Sequence, residues 1–254
     1  MNCFKLVLLD YAKLHLDNPE VQKALSDMII IKQKNFERTD PNYIVTDKHD
    51  MISTHFMIYD TNNPFCPKLV LALRVTYQDR AEKHKLKTPI QELLPNLDEK
   101  IQQHFNDFKI NYPVLADCNA WFVDPDYSLK SSGLRLSDIA YTMVYLHLSR
   151  MGLTHFVGCT NEKYKASRWV ENIGHFPAGF YFKHPLVNDP HMLILMRSFK
   201  HNYLLSVYEK SKSLFEDIFE LVPEELKYKP LAETGLDIFD PINNLYHLKS
   251  KISA

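Results

Sequence analysis

Glycine is scarce in this chain, and where it falls restricts the fold more than any other feature. Only 6 of the 254 residues are Gly, and five of them lie between Gly133 and Gly179. Gly serves where a backbone must turn sharply, stop a helix, or approach a ligand or another backbone closely. Such demands are therefore concentrated in one segment, and the rest of the chain is built from packed regular elements. A 45% hydrophobic and 12% aromatic composition supplies the core those elements need. A chain of 254 residues makes one large domain or two small ones.

The glycine-bearing segment reads as strand, polar loop, helix, strand. Residues 114–123, VLADCNAWFV, have the apolar density of a buried strand, ended by Asp124-Pro125-Asp126-Tyr127. Lys130-Ser131-Ser132-Gly133-Leu134-Arg135 is a small polar loop. Ile139, Ala140, Met143, Val144, Leu146, His147 and Met151 then lay an apolar stripe at spacings of three and four, so an amphipathic helix follows and Gly152 stops it. Residues 153–159 form another strand, and 160–172 a helix capped by Thr160 or Asn161 and stopped by Gly174.

On the N-terminal side, residues 1–36 read as helical through Val21, Leu25, Met28 and Ile29, with Asp40-Pro41-Asn42 as the break. Strands at 51–60 and 68–76, joined by Thr61-Asn62-Asn63-Pro64, make a hairpin. A short helix covers 97–109. On the C-terminal side, strands are expected at 178–184 and 191–199, and an amphipathic helix at 203–221 through Val207, Leu214, Ile218 and Leu221. This mixed order around a central sheet is α/β (α+β).

Several function classes are disfavoured. Thirty Lys and Arg against 31 Asp and Glu leave a net charge of -1, without the basic excess of a general nucleic-acid binder. Cys3, Cys66, Cys118 and Cys159 are scattered and form no C-x-x-C pair, which suits a reducing compartment rather than a zinc or disulfide framework. Twelve His occur without an H-E-x-x-H or H-x-H pattern, so no metal site is expected. The apolar start, Met1 to Leu9, is cut by Asp10 and Lys13, too soon for a signal sequence or a spanning helix. A cytoplasmic protein without a membrane span is the expectation.

A Ser- and Gly-rich loop at a helix N-terminus turns free backbone N–H groups toward whatever lies above it and attracts anions. Lys130 and Arg135 add positive charge at its two ends. The spacing matches neither a Walker loop nor a Rossmann fingerprint, and an ordinary strand–helix turn is the other reading. The stretch WFVDPDYSLKSSGLRL resembles the pyrophosphate signature of the GNAT acyltransferases, [Q/R]-x-x-G-x-[G/A], with Lys130 in place of Gln or Arg and Arg135 in place of the last small residue. Asn161, Ala166, Gly174 and Phe176 resemble that family's following helix and turn. Val170 stands where many members carry a Tyr general acid.

The N-terminal half narrows the resemblance. Lys32-x-x-x-Phe36, Asp47-x-x-Asp50 and the strand residue Arg74 look like the autoinducer (acyl-homoserine-lactone) synthases and related N-acyl-amino-acid synthases. That family's Glu-x-x-Arg reads here Asp117-x-x-Ala120: the carboxylate is kept and the Arg is absent. The resemblance spans roughly residues 25–199. It implies a GNAT-like domain over 1–200, a central mixed sheet flanked by helices; 201–254 lies outside the resemblance and is expected to be a C-terminal helical extension packed on the same domain.

The activity implied is transfer of an acyl group from a thioester, acyl-CoA or acyl-carrier-protein, to the amine of an amino acid or similar small molecule. Lys130, Ser131, Ser132, Gly133, Leu134 and Arg135, with Val123 and Asn161, would hold the donor. Backbone N–H groups near Trp121, Phe122 and Val123 would face the oxyanion. Asp117 would take the amine proton, or else be a solvent-facing strand residue. Asp47 and Asp50 would bind the acceptor ammonium or pair with Arg74, or form only a polar turn. Arg74, inside an apolar strand, needs a partner or a cavity. Cys118 reads as core filler, and Trp121 and Trp169 as core or tunnel walls. The altered motifs leave two alternatives: a non-catalytic ligand- or protein-binding module on this scaffold, and a true acyl-homoserine-lactone synthase.

Overall fold

The computed structural model describes residues 4–36, 47–124, 126–127, 135–185 and 188–223. Its centre is an eight-stranded mixed sheet built from β1 (Phe4–Asp10), β2 (Thr54–Asp60), β3 (Lys68–Tyr77), β4 (Ala116–Val123), β5 (Phe156–Asn161), β7 (Tyr181–Lys183), β8 (Pro190–Met196) and β10 (Phe219–Leu221), in the order β10-β1-β2-β3-β4-β5-β8-β7. β6 (Gly174–His175) and β9 (Ser198–Phe199) form a separate two-stranded ladder. Neighbouring strands of the large sheet are antiparallel except for two parallel pairs, β10 with β1 and β4 with β5. This is the expected α/β (α+β) architecture.

Helices cover both faces. On one face lie α5 (Leu136–Arg150), α6 (Ser167–Ile173), α7 (His201–Lys210) and α8 (Lys212–Glu216), closing the largest core with Leu8, Phe56, Leu71, Leu73 and Ile194. α5 is not the two-faced helix that its stripe suggests. Apart from Ser137, every side chain from Leu136 to Ser149 is buried, because α7 covers the side away from the sheet. On the other face, two cores sit side by side. α1 (Pro19–Phe36) packs Val21, Leu25 and Met28 against Leu9, Met57, Ala72 and Phe122. α3 (Pro89–Leu93) and α4 (Glu99–Asn111) pack Ile90, Phe105 and Phe108 against Val157, Leu193 and Leu195. α2 (Gln78–Lys83) leads from β3 toward α3.

Three expected helices are corrected at their ends; the one expected over 160–172 begins only at Ser167, because β5 runs on to Asn161 and a 3-10 turn at Glu162–Tyr164 follows it. Residues 1–36 do not form one helix: β1 comes first. Leu6 and Leu8 enter the α5-side core while Leu9 enters the α1-side core, so both faces of the strand are buried. A strand buried on both faces carries a continuous apolar run, which periodicity cannot separate from a helix. Residues 203–221 break at Ser211, and Phe219–Leu221 leave the helix to pair in parallel with Val7–Leu9. Arg150 at the end of α5 holds this strand by its Glu220, Nη1 to Oε1 2.9 Å. Glu220→Ala removes a buried partner from Arg150 and is expected to cost about 3 kcal/mol. That is a fall of roughly 6–12 °C in the thermal midpoint for a chain of this size. An unchanged midpoint in calorimetry would show that the pair adds nothing.

Candidate active site

The cleft between the two side-by-side cores is polar. Along β3, Leu71, Leu73, Val75 and Tyr77 point into the α5-side core, so Ala72, Arg74 and Thr76 point to the opposite face. Arg74 lies at the cleft floor, opposite His55 of β2 and Asn119 of β4. Its Nη1 contacts Asp50 Oδ1 and Asp47 Oδ2, both at 2.6 Å, and its Nε donates to Asn119 Oδ1 at 2.7 Å. Lys32 reaches down from α1 to the Asp50 carboxylate, at 2.5 and 2.7 Å. The motif residues Lys32, Asp47, Asp50 and Arg74 thus converge from a helix, a 3-10 turn (Lys48–Met51) and a strand.

Exposure separates their roles. The side chains of Arg74 and Asp50 are 3% and 8% exposed, while that of Asp47 is 29% exposed. Asp47 is therefore the carboxylate at the mouth, and the others form its frame. Burial alone would raise the Asp47 carboxyl, but hydrogen bonds from His49 and the nearby Arg74 hold it well below the usual carboxylate range. Lys32 is pushed the other way for an ammonium: burial, and then Arg74, lower it against the pull of Asp50. His55 beneath the network accepts no charge readily, because burial lowers it to about 4.

Asp117 is not a solvent-facing strand residue. It is 1% exposed, and its Oδ2 accepts the backbone N–H of Ile90 at 2.6 Å, which pins the start of α3 to β4. Burial raises its carboxyl to about 6, against the lowering effect of the Ile90 N–H, Asn119 and Arg74. A carboxyl in that range exchanges protons near neutrality. Cys118, on the opposite face, is pushed upward by burial and is no nucleophile.

β4 changes its facing in mid-strand. Arg74 pairs with Asn119 and Ala72 with Phe122, so Leu73 stands opposite two residues, Ala120 and Trp121. Ala120 adopts the left-handed φ of 51°. This bulge reverses the alternation. Asp117 and Asn119 face the polar cleft, whereas beyond the bulge Trp121 and Val123 face the α5 side and Phe122 the α1 side. β4 also parts from β5 here. Their parallel pairing consists of Asp117 with Val157 and Cys118 with Gly158, although each strand runs on. The result is a notch between the two strands beside the cleft. Trp121 stands at it, edge-on to Tyr141 and Trp169 at 5.4 and 5.3 Å between centroids, and its Nε1 has no hydrogen-bond partner among the described residues.

The remaining expected residues fall as follows. Lys130, Ser131, Ser132, Gly133 and Leu134 lie outside the described residues. Arg135 precedes α5 and is 3.7 Å from Asp138, whose carboxylate also accepts from Tyr203 at 2.6 Å. Asn161 caps the turn after β5 through Lys163 N–H, at 3.0 Å, and donates to Asp189. Val170 is buried in the large core. Sequence reasoning assigned no role to Asn119 or His49. Asn119 is a polar residue inside a buried strand, and that oddity was its one available signal. Among the described residues, no group of three or more His, Cys, Asp or Glu is placed to hold a metal, and no helix is long and apolar enough to cross a membrane.

No protein-family model matches the sequence, and no curated protein matches it either. Solved structures do. BjaI, a CoA-dependent acyl-homoserine lactone synthase solved with MTA, superimposes with a TM-score of 0.54 at 10% identity, over 94% of this chain and 99% of that one. The same enzyme with SAM and isopentyl-CoA gives 0.52 at 11% identity, with the same coverage. The fold is that of a CoA-dependent acyl-homoserine lactone synthase. FeeM, an N-acyl amino acid synthase from uncultured soil microbes, aligns at 0.46 and 10% identity over 77% of this chain and 92% of that one. The fold expected from the motif order is the one that the likeness to BjaI shows.

Proposed function

We propose that this chain is an N-acyltransferase that moves an acyl group from a thioester to the amine of an amino-acid-like acceptor. The observation that carries the reading is the juxtaposition at β4. A bulged strand parts from its neighbour right beside a cleft that holds a framed carboxylate, Asp47, and a buried carboxyl poised near neutrality, Asp117. The parted strands leave backbone groups near Trp121, Phe122 and Val123 for the thioester and its developing oxyanion. Acyl-CoA is the favoured donor, since the neighbour BjaI is CoA-dependent; an acyl carrier protein is the alternative.

In this mechanism Asp47 receives the acceptor ammonium at the cleft mouth. The amine nitrogen attacks the thioester carbon, forming the N–C bond as the C–S bond breaks. Before the attack one ammonium proton passes to Asp117, directly or through a water, to free the nitrogen lone pair, and the second proton that the nitrogen sheds on forming the amide goes to the departing thiolate. Val170 means that no Tyr at that position supplies the last proton.

Incubating the protein with a panel of acyl-CoAs and acyl carrier proteins, with amino-acid amines and a thiol reagent, tests this. Amine-dependent thiol release is expected, and silence across the whole panel would sink the reading. Asp117→Asn keeps an acceptor for Ile90 N–H but cannot take a proton, so turnover should fall by about 10²–10⁴. Stability should respond differently. A carboxyl raised to about 6 stabilises the fold below its unfolded value of about 4 and loses that contribution as pH rises through about 6. The parent should therefore lose stability between pH 4 and 6 relative to Asp117→Asn, measured by urea unfolding. A variant that loses turnover and stability equally at every pH would mark Asp117 as structural only.

A further inference from the structure

The polar cleft is closed into a ring by a residue that the mechanism above leaves unused. His49 is 3% exposed and sits in the 3-10 turn between Asp47 and Asp50. Its Nδ1 is 2.8 Å from Asp47 Oδ1 and its Nε2 is 2.8 Å from the backbone carbonyl of Lys87. Three residues on, Ile90 N–H donates to Asp117. Asn119 Nδ2 donates to the Asp117 carbonyl at 2.7 Å, and Asn119 Oδ1 accepts from Arg74, which returns to Asp47.

We propose that His49 is a positioning residue that ties Asp47 to the Lys87–Ile90 segment, and so fixes Asp117 relative to Asp47, the carboxylate that receives the acceptor ammonium. Neither partner of the ring can donate, so both contacts hold together only when both ring nitrogens carry protons. The charged groups around the ring are Asp47, Asp50 and Lys48 on its own turn, Arg74 from β3, and Glu92 of α3, whose Oε1 is 3.9 Å from Nε2. A second link between the same elements, Lys48 to Glu92 at 2.6 Å, is 53% and 38% exposed and therefore contributes little. The buried link through His49 carries the coupling.

Amide hydrogen exchange on the full chain tests this without any substrate. His49→Phe keeps a ring but no donor; His49→Gln keeps one donating group. The Ile90 amide should exchange about tenfold faster in the Phe variant and by an intermediate amount in the Gln variant, with Val157 and Leu195 unchanged. Equal exchange at Ile90 in parent and Phe variant would overturn the proposal. So would acceleration at all three amides alike, or an equal effect from Lys48→Ala.

A second measurement rests on the proposed acyltransferase reading. His49→Phe should raise KM for the amine about tenfold and leave KM for the acyl thioester within about twofold. Equal changes in both would overturn the positioning role. A parent enzyme inactive on every thioester would instead defeat the functional reading, and the exchange measurement would still decide the fate of His49.

Discussion

Arg74→Ala is expected to lower the stability of the protein by about 3–5 kcal/mol, roughly 6–20 °C in the thermal midpoint, and to abolish amine-dependent acyl transfer. The residue left behind is a small one, but the charges are not: Asp50 and Asp47 lose the guanidinium that meets both at 2.6 Å, and Asn119 loses its donor. Removing one partner from a buried charge network costs far more than the network contributes in sum, because the others stay desolvated. Arg74→Lys keeps the charge without the fork, so it should recover part of the stability but not the Asn119 contact.

The pH dependence should change in a definite direction. Arg74 and His49 hold Asp47 well below its unfolded range, so this carboxylate stabilises the fold above about pH 4 and the contribution is lost as pH falls further. Arg74→Ala should therefore show a shallower acid loss than the parent. Calorimetry from pH 3 to 7 decides the matter: a parent-like midpoint, or an acid slope as steep as the parent's, would show that Arg74 does not hold the pair.

Gly158→Val should prevent the chain from accumulating as folded protein, and Gly158→Ala should cost about 3 kcal/mol. Gly158 is the last residue of β5 paired with β4 before the notch, and a Cβ there would lie inside the van der Waals surface of the Cys118 backbone carbonyl oxygen. Backbone cannot step aside as the end of a side chain can. Even a methyl group must push β4 and β5 apart one pair early, which widens the notch at the place where the thioester is proposed to lie. Gly158→Ala should therefore also reduce the thermal shift produced by acyl-CoA. Normal stability in Gly158→Ala would mean that the two strands are not so close. Normal stability of Gly152→Ala is not expected either, since Gly152 ends α5 at a φ of 73°.

How much of this is legible in sequence differs from one feature to the next. The hairpin of β2 and β3, the helix after the polar loop and the Gly stops were all readable, because each depends on a local pattern of apolar spacing or on a residue with special backbone freedom. β1 and β10 were not. Leu6 to Leu9 are buried on both faces, and Phe219–Leu221 become a strand only because Val7–Leu9 offer an open edge. No local propensity records a distant edge. The same is true of the site. Asp47, Asp50 and Arg74 could be named as a set from the resemblance to the autoinducer synthases, but their exposure, which makes Asp47 the accessible member, comes from α1, whose Lys32 closes over Asp50.

Taken by itself, the sequence determined the element types through its middle and the concentration of tight backbone positions in one segment, and its resemblance to a family pointed to Lys32, Asp47, Asp50 and Arg74 of the polar cleft, though not to Asn119 or His49. Only the tertiary structure decided which way those residues face. The bulge at Ala120 shifts the alternation of β4 by one residue. It leaves Asp117 and Asn119 on the cleft side and sends Trp121 to the α5 side. A bulge is a mismatch between two strands, so it exists only once β3 has set the register against which β4 must be counted.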